Sequence, residues 1–95
     1  MAEPHYSREQ IMIIFEYETL VLDPEDPNEP AVAKHNGKMF HVSPHTGFPL
    51  YEIRFDWVGH YVQWLGQEIA IVRLGNKWFD ITKKGTRVRR KRSQI

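Results

Sequence analysis

The stretch Gln67–Lys84, QEIAIVRLGNKWFDITKK, has the clearest local structure signal in the chain. Two runs rich in Ile, Val, Trp and Phe flank Gly75 and Asn76. Glycine and asparagine tolerate positive φ, so this two-residue spacer suits the type I′ or II′ turn of a β-hairpin. The stretch therefore predicts a pair of antiparallel strands in the C-terminal half of the chain.

Directly after this hairpin the chain becomes strongly basic. Seven cations fall within ten residues: Lys83, Lys84, Arg87, Arg89, Arg90, Lys91 and Arg92. Each one that neutralises a phosphate releases condensed counterions, which favours binding without regard to base sequence. Arginine predominates, and its planar guanidinium matches two phosphate oxygens at once. The segment predicts a non-enzymatic module that binds DNA or RNA with little sequence specificity, helped by Lys77 and Trp78 of the hairpin.

The length of 95 residues allows one domain with one modest core. We expect residues 1–85 to form it and residues 86–95 to be a basic C-terminal tail, whose first residues could add a last strand. Several short runs of β-branched and aromatic residues lie between turn signals, which is typical of a small barrel or sheet. The predicted fold is all-β or β-dominated α+β, an antiparallel barrel or sheet of about five to seven short strands.

Further strands are predicted on both sides of an acidic, proline-rich loop at 23–30. Ala31 to Ser43 is read as a hairpin because Asn36-Gly37 is a strong hairpin signal. Leu50 to Val58 alternates apolar and polar residues, which predicts one strand. After Gly59 the pattern resumes in residues 60–66.

The first ordered element, residues 10–22, is ambiguous. Ser7 and Gln10 could form the capping box of an N-terminal helix covering residues 8–22. The run is crowded with β-branched and aromatic residues, and residues 15–19 alternate cleanly. We favour a strand and keep the helix as the alternative.

Most of the aromatic residues are expected to lie in the core, since Leu and Val are few. Trp64 and Trp78 each stand next to a polar residue near a turn. These two are predicted to lie at a surface edge, where they could stack bases or contact a partner.

The net charge of +1 hides an asymmetry. Residues 1–30 carry eight acidic side chains against Arg8 alone, whereas residues 31–95 carry twelve Lys and Arg against four acids. An alternative function follows: a small protein-interaction module, an inhibitor or adaptor of the kind that phages and other mobile elements encode. Its partner would meet an edge strand or the acidic residues Glu16, Glu18, Asp23 and Glu25. Because the two parts of the chain carry opposite charges, a homodimer is also a possible arrangement.

Five histidines are many for this length. His35, His41 and His45 cluster, but no zinc motif or downstream ligand set accompanies them, so we expect no metal site and no cofactor. A second alternative is a small metal-independent ribonuclease that uses His41 or His60 as general acid or base.

The chain contains no cysteine, and the stretch MAEPHYSREQ is not a signal peptide. Nowhere do about 18 apolar residues run together, so no membrane span is predicted. An intracellular, cytoplasmic location is the expectation.

Overall fold

The computed structural model describes residues 5–89. They form one helix and eight strands, namely α1 (Arg8–Phe15), β1 (Thr19–Val21), β2 (Ala31–His35), β3 (Lys38–Val42), β4 (Trp57–Val58), β5 (Val62–Trp64), β6 (Gln67–Leu74), β7 (Lys77–Ile81) and β8 (Arg87–Val88). One antiparallel sheet has the order β1-β2-β3, and the second has the order β4-β6-β7-β8, with β5 also paired to β6. The prediction of a small β-dominated α+β domain is confirmed. The helix within residues 5–89 is too short to cross a membrane.

The prediction of a strand over residues 10–22 is wrong for residues 10–15, which belong to α1, and is confirmed for Thr19–Val21, which form β1. The Ser7 hydroxyl accepts a hydrogen bond from the Gln10 backbone N–H (3.1 Å), and the Gln10 side chain accepts one from the Ser7 N–H (2.8 Å). Ile11 alone is fully buried, while Ile13 is 77% exposed. The capping box therefore determines that this segment is a helix. The helix leaves isoleucines exposed, although a regular amphipathic helix would bury them.

Both predicted hairpins with a glycine turn are confirmed. β2 pairs with β3 around Asn36 and Gly37, and β6 pairs with β7 around Gly75 and Asn76. A third hairpin joins β5 to β6, and its turn places Leu65 at a φ of 47°. Positive φ is rare for a residue with a branched side chain of this size.

The strands β4 and β5 both pair with β6 and together form one arm of a hairpin, which a bulge interrupts. Val58 pairs with Val72, and Val62 pairs with Ile69, so three residues of the arm face two residues of β6. One extra residue is the definition of a β-bulge, which bends the strand that carries it. The prediction that the pattern breaks at Gly59 and then resumes is therefore confirmed.

The prediction of one strand from Leu50 to Val58 is wrong for most of its length, because only Trp57–Val58 belongs to a strand. The Nη1 atom of Arg54 donates hydrogen bonds to the carbonyl oxygens of residues 51, 52 and 53 at 3.0, 2.8 and 3.2 Å. Its guanidinium also lies 3.9 Å from the centroid of the Phe40 ring. A guanidinium that donates hydrogen bonds to three successive carbonyl oxygens stabilises a loop. The alternation of residue types does not predict this contact.

The two sheets are joined where this loop ends. The backbones of Met39 and Phe55 exchange two hydrogen bonds of 2.8 and 2.9 Å, and the N–H of Asp56 donates to the Arg73 carbonyl at 2.9 Å. The segment that leads into β4 thus pairs with β3 on one side and with β6 on the other. Residues of both sheets and of α1 contribute to one core, whose largest fully buried side chains include Phe40, Phe55, Ile11, Leu20, Ile69, Ile81, Val58 and Val72.

Candidate nucleic-acid interface

Three side chains lie next to one another on the outer face of the second sheet. Arg73 in β6 pairs directly with Trp57 in β4 and with Trp78 in β7. Directly paired residues project to the same side of a sheet. The Trp57 and Trp78 rings are 5.8 Å apart between centroids and tilted by 58°, and the Arg73 guanidinium is 5.9 Å from the Trp78 ring. These residues form what we call the tryptophan–arginine row.

Gly59 makes room for the first indole of the row. A Cβ atom built on Gly59 would lie 3.1 Å from Cη2 of Trp57 and 3.3 Å from Cγ2 of Ile71. Most side chains at this position would therefore crowd the ring. The glycine that interrupts the strand pattern also lets the Trp57 indole lie against the sheet.

Asp56 holds the β6–β7 turn against β4. One carboxylate oxygen is 2.6 Å from the Lys38 Nζ, and the other accepts the Gly75 N–H at 2.7 Å. The Lys38 hydrogen bond, followed by that of Gly75, lowers the pKa of the Asp56 carboxyl. Because Asp56 directly precedes Trp57, these contacts connect the tip of the hairpin to the start of the row.

A groove of about 470 Å³ lies beside Trp78, along the edge of the sheet. It is lined by Trp78, Phe79, Asp80, Arg87, Val88 and Arg89. The Arg87 guanidinium lies 4.7 Å from the centroid of the Phe79 ring. Stacking of this kind engages the face of a guanidinium and not its N–H groups, which can still bind an anion. We call this feature the basic groove, although the buried Asp80 also contributes to its wall.

The last predicted strand is present, because Val88 pairs with Asp80 and Arg87 with Ile81. Val88 is half-buried, and both Arg87 and Arg89 are exposed. The basic segment therefore begins inside the sheet, and this pairing places the two arginines at its edge.

Lys83 differs from the other predicted phosphate ligands because it is already paired with acids. Its Nζ is 2.9 Å from Glu68 and 3.6 Å from Glu29. This ion pair connects the acidic loop at 23–30 to β6. Lys83 is therefore less available to a phosphate than its sequence context predicts.

The remaining predicted nucleic-acid ligands divide into two groups. Lys77 and Lys84 are exposed, Lys77 at the start of β7 and Lys84 in the turn before β8. Arg90, Lys91 and Arg92 lie outside the described residues. Of the two tryptophans predicted at a surface edge, Trp78 is 56% exposed and Trp64 is half-buried.

The acidic residues of the alternative partner site support the backbone where they lie. The Glu18 carboxylate accepts the Gly37 N–H at 3.0 Å. Asp23 accepts the N–H groups of Glu25 and Asp26 at 2.9 and 3.3 Å. Glu16 ends α1 in a left-handed conformation. These roles within the fold explain several of the acidic residues without any need for a partner protein.

The cavity next to the acidic loop has a volume of about 350 Å³. Its lining is largely acidic: Asp23, Glu25, Asp26, Glu29, Tyr61, Val62, Gln63 and Glu68. Within residues 5–89, however, no three His, Cys, Asp or Glu side chains are arranged to hold a metal ion.

His41 is fully buried and both of its ring nitrogens have hydrogen-bond partners. It cannot reach a substrate in this conformation. His60 is half-buried, and its Nδ1 atom has no hydrogen-bond partner. His35 bonds to the Glu16 carbonyl at 3.0 Å, and His45 packs against His5. The histidines that are close in sequence thus have separate roles.

Sequence reasoning missed Trp57 and Arg73 as members of a surface feature. In a regular strand over residues 50–58, Trp57 would share one face with Tyr51 and Phe55, both of which are buried. One signal could have found it, namely the glycine two positions later, which permits an aromatic ring to lie on the backbone. Comparison of the chain with family models, with curated proteins and with solved structures found no match.

Proposed function

We propose that this protein is a nucleic-acid-binding module that contacts the phosphate backbone through the basic groove. The observation that carries the proposal is the juxtaposition of exposed Arg87 and Arg89 with Trp78 in one groove. Arginine that is held by an aromatic ring offers N–H groups in a fixed direction, which matches the oxygens of a phosphate.

The charge around the groove supports a ligand that is anionic and extended. Lys77 begins β7 and Lys84 lies in the turn between β7 and β8, so further exposed cations occur on the segments next to the groove, although neither lines it. The Asp80 carboxyl partly offsets these charges, and Lys83 is paired with Glu29 and Glu68. A modest number of phosphate contacts is therefore expected from the described residues, in the range of two to four.

Phosphate contacts position a protein on a nucleic acid but carry no sequence information. The arrangement of cations on a sheet edge supports weak sequence preference. Further contacts from Arg90, Lys91 and Arg92 would increase affinity and salt dependence without adding specificity.

Fluorescence anisotropy with a mixed-sequence oligonucleotide, over a series of salt concentrations, tests the proposal. The log of the affinity should fall linearly with the log of the salt concentration. The double variant Arg87→Gln/Arg89→Gln should reduce the magnitude of this slope by about 1.4 to 1.8, the contribution of two phosphate contacts. Lys34→Gln, in the first sheet, is the matched control and should leave the slope unchanged.

Two results would overturn the proposal. The first is the absence of binding at low salt. The second is binding whose slope the arginine double variant leaves unchanged while circular dichroism shows that the variant is folded.

The alternatives receive less support from the contacts. The protein-interaction module relies on Glu16, Glu18, Asp23 and Glu25, of which Glu18 and Asp23 already bind backbone N–H groups. The ribonuclease alternative relies on His41 or His60, and His41 is enclosed in the core. An RNA-degradation gel and the quadruple neutralisation of the four acids test these alternatives separately.

A further inference from the structure

We infer that the tryptophan–arginine row stacks unpaired bases, so that the preferred ligand is a single strand. This inference rests on the proposed function and adds to it the form of nucleic acid that is bound. The basic groove binds phosphates of any strand, whereas the row discriminates between strands whose bases are open and strands whose bases are paired.

The row is unusual because two indoles remain exposed on one sheet face. Trp57 is 40% exposed and Trp78 is 56% exposed, and Ile71 beside Trp57 is also exposed. Aromatic side chains on a sheet surface form the stacking platforms of many proteins that bind single strands, since every base has a π face. Arg73 between the indoles adds a cation to the platform.

The geometry of the two rings decides how bases would stack. A base held between two parallel rings needs a centroid separation of about 7 Å, twice the 3.4 Å spacing of stacked bases. The observed separation is 5.8 Å with a tilt of 58°, which leaves no parallel slot. Each indole therefore stacks on a base of its own, and the two bases are splayed apart.

A duplex does not provide such bases. Its base faces are covered by neighbouring pairs, and its grooves present only base edges. Presenting two splayed bases would require that the duplex unpair and unstack, at a cost that a single strand does not bear. The platform thus favours single strands by its shape.

One cation lies beside Trp78 on the face of the row, and two more lie at the neighbouring edge of the sheet. Arg73 lies next to Trp78 in β6, whereas Arg87 pairs with Ile81 on the opposite face and, with Arg89, lines the groove at the sheet edge. The Nη1 group of Arg73 donates to the Gly75 carbonyl at 3.0 Å, which fixes the guanidinium beside the ring. A cation within the row and two more at the adjacent edge argue for a polyanion and against an uncharged apolar partner.

The experiment compares three probes with the full chain: a 12-nucleotide oligothymidylate, an abasic strand of the same length and phosphate number, and a 12-base-pair duplex. The oligothymidylate should bind about tenfold or more tightly than the abasic strand, since stacking on an aromatic ring contributes a factor of this order per base. It should also bind more tightly than the duplex and quench the intrinsic tryptophan fluorescence, and the abasic strand should not quench it.

Variants then locate the effect. Trp57→Leu/Trp78→Leu should lower the ratio of the affinities for oligothymidylate and for the abasic strand to about one. The ratio within the variant is the readout, because Trp78 also lines the basic groove and its loss can change phosphate binding to both probes alike. Trp57→Phe/Trp78→Phe, which keeps aromatic faces, should retain most of the difference. Phe48→Leu is the matched control, because Phe48 is an exposed aromatic residue away from the row. The comparison of probes with the unchanged chain needs no variant to fold.

The outcomes separate the two proposals. Salt-dependent binding with equal affinity for all three probes, or tighter binding of the duplex, overturns base stacking and leaves the proposed function standing. No binding of any probe at low salt overturns both and directs attention to a protein partner. A persistent preference for oligothymidylate in the folded leucine variant also overturns the role of the row.

Discussion

His41 donates a hydrogen bond from Nε2 to the carbonyl oxygen of Gly59 over 2.6 Å, and this bond connects the two sheets. A carbonyl can only accept, so Nε2 carries the proton and Nδ1 accepts from the Tyr51 hydroxyl at 2.6 Å. The same hydroxyl accepts the His41 backbone N–H at 3.1 Å. Burial lowers the pKa of the imidazole to about 4, so the ring is neutral at neutral pH, which is consistent with an accepting Nδ1 atom.

This arrangement predicts that acid destabilises the protein. The folded-state pKa of His41 lies below the unfolded value of about 6.5, so the unfolded chain binds the proton more readily. The contribution of neutral His41 to the free energy of unfolding is complete above pH 6.5. As the pH falls towards 4, the free energy of unfolding decreases by about 1.4 kcal/mol per pH unit, which amounts to about 3 kcal/mol in all. Urea unfolding at a series of pH values measures it. An unfolding free energy that is constant between pH 7 and 5 would contradict this account of His41.

Removing the Tyr51 hydroxyl should destabilise the core. Tyr51→Phe leaves the His41 Nδ1 and backbone N–H without their partner, and buried unsatisfied groups of this kind cost about 1–3 kcal/mol each. Tyr61→Phe is the control, because its hydroxyl donates one hydrogen bond, to the partly buried Thr82 carbonyl. Equal losses of unfolding free energy in the two variants would argue against the special role of Tyr51.

Leu65→Asn should stabilise the protein by about 1 kcal/mol, since a leucine in the left-handed region is strained and asparagine tolerates it. Leu65 is 82% exposed, so little burial is lost. Thermal unfolding measures the change. Leu74→Asn, an exposed leucine at a strand end without positive φ, should give no comparable increase.

Gly85→Ala should destabilise the protein by about 2–4 kcal/mol, because strain and a steric clash act together. Gly85 has a φ of 81°, and an added Cβ would lie 2.8 Å from the Tyr51 side chain. Gly37→Ala is matched in φ (77°) but meets no atom within 4 Å, so it should cost only about 1 kcal/mol. Similar denaturation midpoints for the two variants would show that the contact with Tyr51 relaxes easily.

The local turns and caps were predictable because their causes are local. Asn36-Gly37 and Gly75-Asn76 determine hairpins through backbone conformations that few other residues adopt cheaply. The capping box at Ser7 and Gln10 is also visible in the sequence. The β-branched and aromatic residues that follow it favour a strand, and that prediction is wrong for residues 10–15 because the cap starts a helix there. The basic segment is recognisable from composition alone. That its first residues could add a last strand is confirmed for Arg87–Val88.

The sequence by itself determined the β-rich class, the hairpin turns and the cation-rich end, because these depend on residues adjacent in the chain. Only the tertiary structure decided that Arg54 stabilises a loop where a strand was expected. It also decided that Trp57, Arg73 and Trp78 share one face of the sheet. The tertiary structure also brings Lys83 into ion pairs with Glu29 and Glu68, two acids from distant parts of the sequence. Such contacts depend on strand register and on packing between distant segments, and neither is encoded in any short stretch.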